Sequence, residues 1–261
     1  MMKDCHTHFS RVARCYRDLR TTDNEPILNI VRKLPQLPQL VAADFGCGTG
    51  RYSLKLCKKL GERLFLYCVD NNRDMLRALQ TYFQRHGLTN YRVLHNHAEE
   101  RVLKANSLHF VVTFNAIHHF QISAFFQEVL RILREDGLLF IYTRFRSQNQ
   151  RNIWGRFFPG FAEKETRLYE LSELQRKLAP YSELVLEEVK YFKFPRQASI
   201  HWLLKQAQNH HYSTFYLYEE EEFRIALQTF KRNLEKHYPD LSRIHWQDEN
   251  VMLTIRKRSW N

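Results

Sequence analysis

Glycine is scarce in this chain, and the scarcity is lopsided. The 261 residues contain eight glycines, at positions 46, 48, 50, 61, 87, 137, 155 and 160, with none beyond. Short strand–helix connections use glycine as punctuation, so the first part reads as compact alternating elements and the last hundred residues as longer helices of another design. Cysteine is confined to positions 5, 15, 47, 57 and 68. An odd number with no CxxC pair argues against a disulfide framework or a four-cysteine zinc site. Cys5, His6 and His8 are read as a solvated terminus, and no metal is expected. Long apolar runs are absent: none approaches the roughly 18–20 residues that a membrane helix needs. The opening Met1-Met2-Lys3-Asp4-Cys5-His6 has no apolar stretch of signal type. The expectation is a soluble, cytoplasmic protein with no membrane partner. Internal repeats and low-complexity linkers are missing too.

What is present suffices for a core. Hydrophobic residues make up 44% of the chain and aromatics 14%, well outside the range of disordered proteins. Forty Lys and Arg against 28 Asp and Glu give a formal charge of +12. Such an excess invites nucleic acid. The basic residues are dispersed, however, and clusters such as Arg256-Lys257-Arg258 are short. A small-molecule partner is the first reading and nucleic acid the second.

The order of elements follows from periodicity. Residues 41–45, 64–69, 91–95, 108–114 and 138–142 read as strands. Residues 52–60, 73–85 and 123–133 read as helices between them, the last capped by Ser123, and Asp136-Gly137 turns the chain into its following strand. Alternation of this kind gives a parallel sheet covered by helices on both faces. Beyond Trp154–Phe161, which is aromatic and interrupted by Pro159-Gly160, helices are predicted over 171–178, 199–208 and 219–238. Further strands are predicted over 184–194 and 250–255. The fold class is therefore α/β, a Rossmann-like, seven-stranded, mostly parallel sheet with a C-terminal lid insertion. The expected division is 1–145 for the core with an N-terminal helix, 146–225 for a helical and aromatic lid, and 226–261 for a closing helix and strand.

One segment carries the chemistry. Asp44-Phe45-Gly46-Cys47-Gly48-Thr49-Gly50 follows a predicted strand and opens a helix, where backbone N–H groups and the positive helix end are exposed. Dinucleotide enzymes want G-x-G-x-x-G. Here the third glycine comes one place early, and Arg51 occupies the position that pattern requires. An acid two residues before the first glycine repels a pyrophosphate and accepts hydrogen bonds from an ammonium group. Asp70 ends the second strand, where a carboxylate can accept both hydroxyls of a ribose or, alternatively, cap the helix that follows.

These residues, with Asp74-Met75-Leu76, His97-Ala98-Glu99, Asn115-Ala116-Ile117-His118-His119-Phe120 and Glu128 to Leu138, resemble the class I S-adenosylmethionine-dependent methyltransferases. The likeness is to the small-molecule group with a UbiE-like core. It covers roughly residues 10–145 in order. It implies S-adenosyl-L-methionine as cofactor. Gly46, Cys47, Gly48 and Gly50 would then pass beneath the methionine part, with Asp44 facing its amino group. Asp70 and Asn71 would lie at the ribose, Met75 against the adenine, Ala98 and Glu99 beside it, and Asn115 beside the sulfonium. The chain departs from the family at His97, which stands where an Asp commonly binds the adenine amino group. The segment 9–20 looks like the family's opening helix, and Tyr16 and Arg20, four apart on one face, would close over the cofactor carboxylate or merely pack on the core.

Methyl transfer needs alignment and exclusion of water, and a base only if the acceptor arrives protonated. His118 and His119 are the candidates for that base. Arg144, Trp154 and Phe158 are candidate substrate contacts for an acceptor that is small and either aromatic or anionic, taking the methyl group on O, N or S, or less readily C. Two rival readings remain. One is an RNA or tRNA methyltransferase, although neither an Asn-Pro-Pro-Tyr motif nor a Pro-Cys nucleophile is present. The other is an inactive fold used for binding, against which the intact glycine loop and Asp70 argue.

Overall fold

The computed structural model describes residues 19–258. It divides into two compact units. Residues 21–143, 171–190 and 251–258 form the first, and residues 19–20, 144–170 and 191–250 the second.

The first unit alternates as the periodicity predicts. Its elements are α1 (Glu25–Lys33), β1 (Leu40–Phe45), α2 (Arg51–Leu60), β2 (Leu64–Asp70), α3 (Arg73–Arg85), β3 (Tyr91–His95), β4 (Leu108–Phe114), α4 (Ile122–Ile132), β5 (Leu133–Thr143) and α8 (Leu171–Leu178). Helices α5 (Arg146–Arg151), α6 (Ile153–Phe157), α7 (Phe161–Lys164), α9 (Ile200–Gln208) and α10 (Glu220–His237) belong to the second. Strands β6 (Leu184–Ala198) and β7 (Ile244–Lys257) complete the list. The seven strands run in the order β3-β2-β1-β4-β5-β7-β6. Pairs β1/β2, β1/β4, β2/β3 and β4/β5 are parallel, and β5/β7 is antiparallel, with Leu138 opposite Arg256 and Thr143 opposite Val251. Strand order reverses between β1 and β4. In open α/β sheets such a switch point opens a crevice at the carboxyl ends of the strands. The glycine loop leaves β1 there, and the Asn115–Phe120 segment leaves β4.

Burial explains why these runs are strands. β1 has Leu40, Ala42, Ala43 and Phe45 fully buried, and β4 has Phe110, Val111 and Val112 likewise, as expected where helices cover both faces. α3 starts because the Asn72 side chain accepts the N–H groups of Asp74 and Met75 at 3.0 Å each, a standard N-cap. α4 differs from the expectation: Gln121, not Ser123, occupies its N-cap, without a side-chain cap bond. β5 also differs. It begins at Leu133 rather than Leu138, and its register against β4 slips between Leu108 and Phe110. Asp136 takes φ 59°, so the Asp-Gly signal is expressed as a bulge inside a strand instead of a turn before one. At the far end of α4, the Lys257 ammonium donates to the carbonyls of Leu130 and Leu133 and to Asn106 Oδ1 at 2.8, 2.9 and 3.0 Å. A strand cation thereby satisfies orphan helix carbonyls.

The second unit has its own core. Trp154, Phe158, Phe161, Phe215 and Phe230 are buried together with Leu203, Leu234 and Ile244. Trp154 stacks on Phe230 with ring centroids 5.1 Å apart. Short helices α5 and α6 fall where the sequence reads as irregular. Asn152 allows the break between them, since its side chain accepts the Gly155 N–H at 2.8 Å and restarts the helix. The acidic run before Phe223 does what its charge suggests, with Glu219 and Glu222 forming a reciprocal capping box at the start of α10.

Candidate functional site

The glycine loop is held by its own backbone. The N–H groups of Gly46 and Cys47 both reach the Val69 carbonyl, at 2.8 and 3.2 Å, and the Gly50 N–H reaches the Cys47 carbonyl at 3.0 Å. The Gly48 N–H donates to Asp70 Oδ2 at 2.8 Å. All three glycines have positive φ, 71°, 53° and 76°, which only glycine adopts without strain. Their surroundings differ. A Cβ on Gly46 would collide with the Ala116 side chain, and one on Gly50 would lie 2.7 Å from Phe83 and 2.9 Å from Leu79. A Cβ on Gly48 would meet nothing within 4 Å. Gly46 and Gly50 thus serve internal packing, and Gly48 is the glycine whose face is open to a ligand.

Asp44 lies at the end of β1, opposite Cys68 of β2 and Val112 of β4, and is 1% exposed. Its Oδ2 accepts the Ser53 hydroxyl at 2.6 Å. Its Oδ1 is buried with no hydrogen-bond partner among the described residues. Desolvation pushes this carboxyl up to about 7, with Asp70 adding to the rise and Ser53 opposing it. A buried carboxylate oxygen without a donor is costly, and a bound cation relieves it. The ammonium of a methionine fits that requirement, which makes the residues present compatible with S-adenosylmethionine.

Asp70 is anchored at the tip of β2. Besides Gly48, it accepts the Asn72 N–H on Oδ1 at 2.9 Å. The true cap of α3 is Asn72, and Asp70 braces both the cap residue and the loop. Asn71 is exposed beside His97, with Nδ2 to Nδ1 at 3.4 Å. Met75 is 2% exposed on α3 and Ala98 is 7% exposed. Glu99 accepts the Gln121 N–H at 2.6 Å and so ties the β3–β4 connection to the start of α4. Asn115 has φ 55° and donates its N–H to the Tyr142 carbonyl at 2.7 Å. A non-glycine residue in this region carries strain, and such strain clusters at binding sites. His118 and His119 follow in a 3-10 turn, with rings 4.1 Å apart, the first half-buried and the second exposed.

Asp44, Gly46, Cys47, Gly48, Gly50, Asp70, Asn71, Met75, Ala98, Glu99, Asn115, His118 and His119 therefore all belong to one unit, around the switch point. Two features there escape a reading by motif. Tyr52 stacks on Phe114 at 4.6 Å and meets Tyr142 edge-on at 5.6 Å, so an aromatic floor lies beneath the ends of β4 and β5. Arg51, at the position where a dinucleotide loop has its third glycine, donates to the Thr21 carbonyl at 2.9 Å and to Thr22 Oγ1 at 2.7 Å. Neither contact leaves a periodic signal.

The other candidates belong to the second unit. Tyr16 lies outside the described residues. Arg20 donates to the His211 carbonyl at 3.0 Å and lies over the Tyr212 ring at 4.2 Å. Arg144 is 8% exposed. It pairs with Asp248 at 3.2 Å and donates to the Glu249 carbonyl at 3.0 Å. Trp154 and Phe158 are interior, 3% and 2% exposed. Among the described residues no group of three or more His, Cys, Asp or Glu is placed to hold a metal, and no helix is long and apolar enough to cross a membrane.

Residues 42–137 match the methyltransferase domain family. A Dictyostelium discoideum protein named as a methyltransferase is 23% identical over 135 residues, 52% of this chain and 48% of its own length. The chain spans about half or less of the curated relatives it matches. Among solved structures, a methyltransferase from an antibiotic biosynthesis pathway of Anabaena variabilis is similar over 90% of this chain and 98% of its own, at 24% identity and a TM-score of 0.67. The YcgJ protein of Bacillus subtilis is similar over 91% of this chain and all of its own, at 14% identity and a TM-score of 0.66. At those identities the likeness is one of fold, a Rossmann-like methyltransferase sheet. The chain thus carries, over residues 42–137, a match to the methyltransferase domain family within a fold similar to that of solved methyltransferases.

Proposed function

We propose that this protein moves the methyl group of S-adenosylmethionine to an O, N or S atom of a small organic molecule. The observation that carries the reading is the buried, partnerless Oδ1 of Asp44 beneath a loop whose central glycine faces open space. S-adenosylmethionine supplies a methyl group on a positive sulfur, ready for in-line displacement. Asp44 holds the ammonium of its methionine part. Gly48 gives the ligand close access to backbone, and Asp70, already aligned by the Gly48 and Asn72 N–H groups, receives the ribose hydroxyls. Asn115, bent out of β4, borders the reacting centre. An imidazole nitrogen of His118 or His119 takes the proton when the acceptor is a hydroxyl or a protonated amine.

A small acceptor is favoured over RNA by how the second unit uses its charge. Arg144 and Arg196 share Asp248, Arg151 pairs with Glu249, and Arg167 pairs with Glu165. Arginines engaged in this way do not form the solvated cationic track that a phosphate backbone requires. Trp154 and Phe158 shape the unit from its interior.

The test uses cofactor carrying a labelled methyl group, incubated with the purified protein and an extract separated by size and by nuclease sensitivity. Label in the low-molecular-weight fraction is expected. Label in nuclease-sensitive material would overturn the acceptor class, and no transfer with cofactor bound would leave a binding protein.

A further inference from the structure

The order of the strands sets the order of the parts of a ligand lying across their ends. Asp44 is at the end of β1 and Asp70 at the end of β2, and β3 lies on the far side of β2 from β1. With the ammonium at Asp44 and the ribose at Asp70, the purine extends over the end of β3. Pairing continues there past the strand. His95 stands opposite Asp70, and the Asn96 N–H donates to the Asp70 carbonyl at 3.2 Å. His97 comes next and is exposed. Its ring is therefore placed at the outer edge of a purine held in this way.

Neighbouring groups decide which ring nitrogen carries the proton. Arg73 Nε lies 3.5 Å from His95 Nδ1. A guanidinium only donates, so that Nδ1 accepts. The proton of His95 then sits on Nε2, which donates to the Asn71 carbonyl at 3.0 Å and holds the Asn71 backbone. The side-chain amide nitrogen of Asn71 lies 3.4 Å from His97 Nδ1. A carboxamide nitrogen also only donates, so Nδ1 of His97 accepts and its Nε2 carries the proton. Among the described residues His97 has no second hydrogen-bond partner. His97 thus presents a donor to the ligand, where a carboxylate would present an acceptor. The two read opposite purine edges. Adenine carries a donating amino group at C6 beside the acceptor N1, and a 6-oxopurine carries an accepting carbonyl at C6. A donor bonds N1 of the one or the carbonyl of the other, and makes no use of the amino group.

We propose that His97, with Asn71 as its positioning residue, makes the cofactor site indifferent to an amino or a carbonyl group at C6 of the purine, so that the inosyl counterpart of the cofactor is bound as well as the adenosyl form. The proposal rests on the methyltransferase reading and states what that site demands of its cofactor. A site rejects an analogue strongly when a polar group is left buried and unpaired. His97 and Asn71 are exposed, so water serves whatever edge of the purine they do not. A single directed donor therefore sets no penalty on the carbonyl.

The experiment is calorimetric titration of the full chain with S-adenosylhomocysteine and with S-inosylhomocysteine, at pH 8.5, where an imidazole is uncharged. The two Kd values are expected to agree within about threefold. His97→Asp replaces the donor by an acceptor that pairs with the amino group and repels the carbonyl, and the preference for the adenosyl compound is expected to rise at least about tenfold. Asn71→Asp accepts where Asn71 donates. It draws the proton of His97 to Nδ1 and turns Nε2 into an acceptor, so the adenosyl preference is expected to rise severalfold. In a His97→Ala background the same Asn71→Asp change is expected to leave the ratio unmoved, which a merely structural effect of Asn71 would not do. An inosyl compound bound more than about tenfold more weakly by the wild type would overturn the proposal. So would a ratio unchanged in His97→Asp, which would take His97 away from the purine. If neither compound binds the wild type, the methyltransferase reading fails first, and separately.

Discussion

Ser53 donates its hydroxyl to Oδ2 of Asp44 across 2.6 Å, and the other oxygen of that carboxylate is left buried without a donor. The pair therefore holds the acid in one orientation while leaving it electrostatically incomplete. A ligand ammonium completes it. Replacing Asp44 with Asn keeps the shape and removes the charge. The expected loss of cofactor affinity is about 10- to 150-fold, the equivalent of about 1.5–3 kcal/mol for a charged hydrogen bond. Calorimetry on a variant with an unchanged circular dichroism spectrum checks it, and unaltered affinity would remove Asp44 from the site.

The same group makes binding pH-dependent. Its carboxyl is raised from 3.8 to about 7 by burial. Between those values the folded protein keeps a proton that the unfolded chain has released, so this group's contribution to stability declines as pH rises through that window. An ammonium placed against Oδ1 drives the proton off. Binding at pH 6 should therefore release about one proton, falling toward zero by pH 8.5. Titrations in buffers of different ionisation enthalpy measure the release directly.

Gly46 and Gly48 separate stability from binding. Gly46→Ala drives a methyl group into Ala116 at φ 71°, and a loss of several kcal/mol or failure to fold is expected. Gly48→Ala meets open space. Its expected stability loss is only about 1–2 kcal/mol, from the left-handed backbone, while cofactor affinity falls at least tenfold. Urea denaturation beside calorimetry tells the two apart, and equal behaviour of the variants would contradict the assignment of Gly48 to the ligand face.

How much of this the sequence discloses depends on the range of the interaction. Asp44, the glycines and Asp70 are legible because a strand, a tight loop and a strand-end acid must follow one another at fixed spacing, and the parallel strands are legible as continuous apolar runs. Ser123 as a cap and Leu138 as the start of β5 were misplaced because each depends on partners far along the chain. Glu99 fixes Gln121 from 22 residues away, and the β4 register absorbs Asp136-Gly137 as a bulge. The cation pair around Tyr212 was hidden for the same reason. Arg20, Arg144 and Tyr212 are separated by more than sixty residues at each step and share no periodicity. Arg20 and Arg144 could each be singled out, the one on the opening segment and the other close to the end of β5, but not their meeting at Tyr212.

Lys257 offers a test of the fold that is independent of the site. It donates to three acceptors at the end of α4. Lys257→Met removes a cation from a helix C-terminus and leaves two carbonyls without their donor, with an expected cost of about 1–3 kcal/mol. Chemical denaturation reads the stability, and cofactor affinity should not change.

His211 sets an acid limit on the second unit. Its folded basicity lies well below the ordinary 6.5 because of burial, then Arg20 and Arg144. The unfolded chain binds a proton that the folded one refuses, so stability from this group is full above pH 6.5 and is lost as pH falls below it. The difference in denaturation midpoint between pH 7.5 and pH 5.5 should shrink in His211→Gln. A difference as large as in the wild type would place the acid sensitivity elsewhere.

Asp44 is the buried acid that the ammonium of a sulfonium cofactor would complete. Calorimetric titration of the purified chain with S-adenosylmethionine at pH 6, in two buffers of unlike ionisation enthalpy, tests it most directly. The account predicts one site per chain and release of about one proton on binding. No heat at millimolar cofactor, or binding with no proton released, would contradict it.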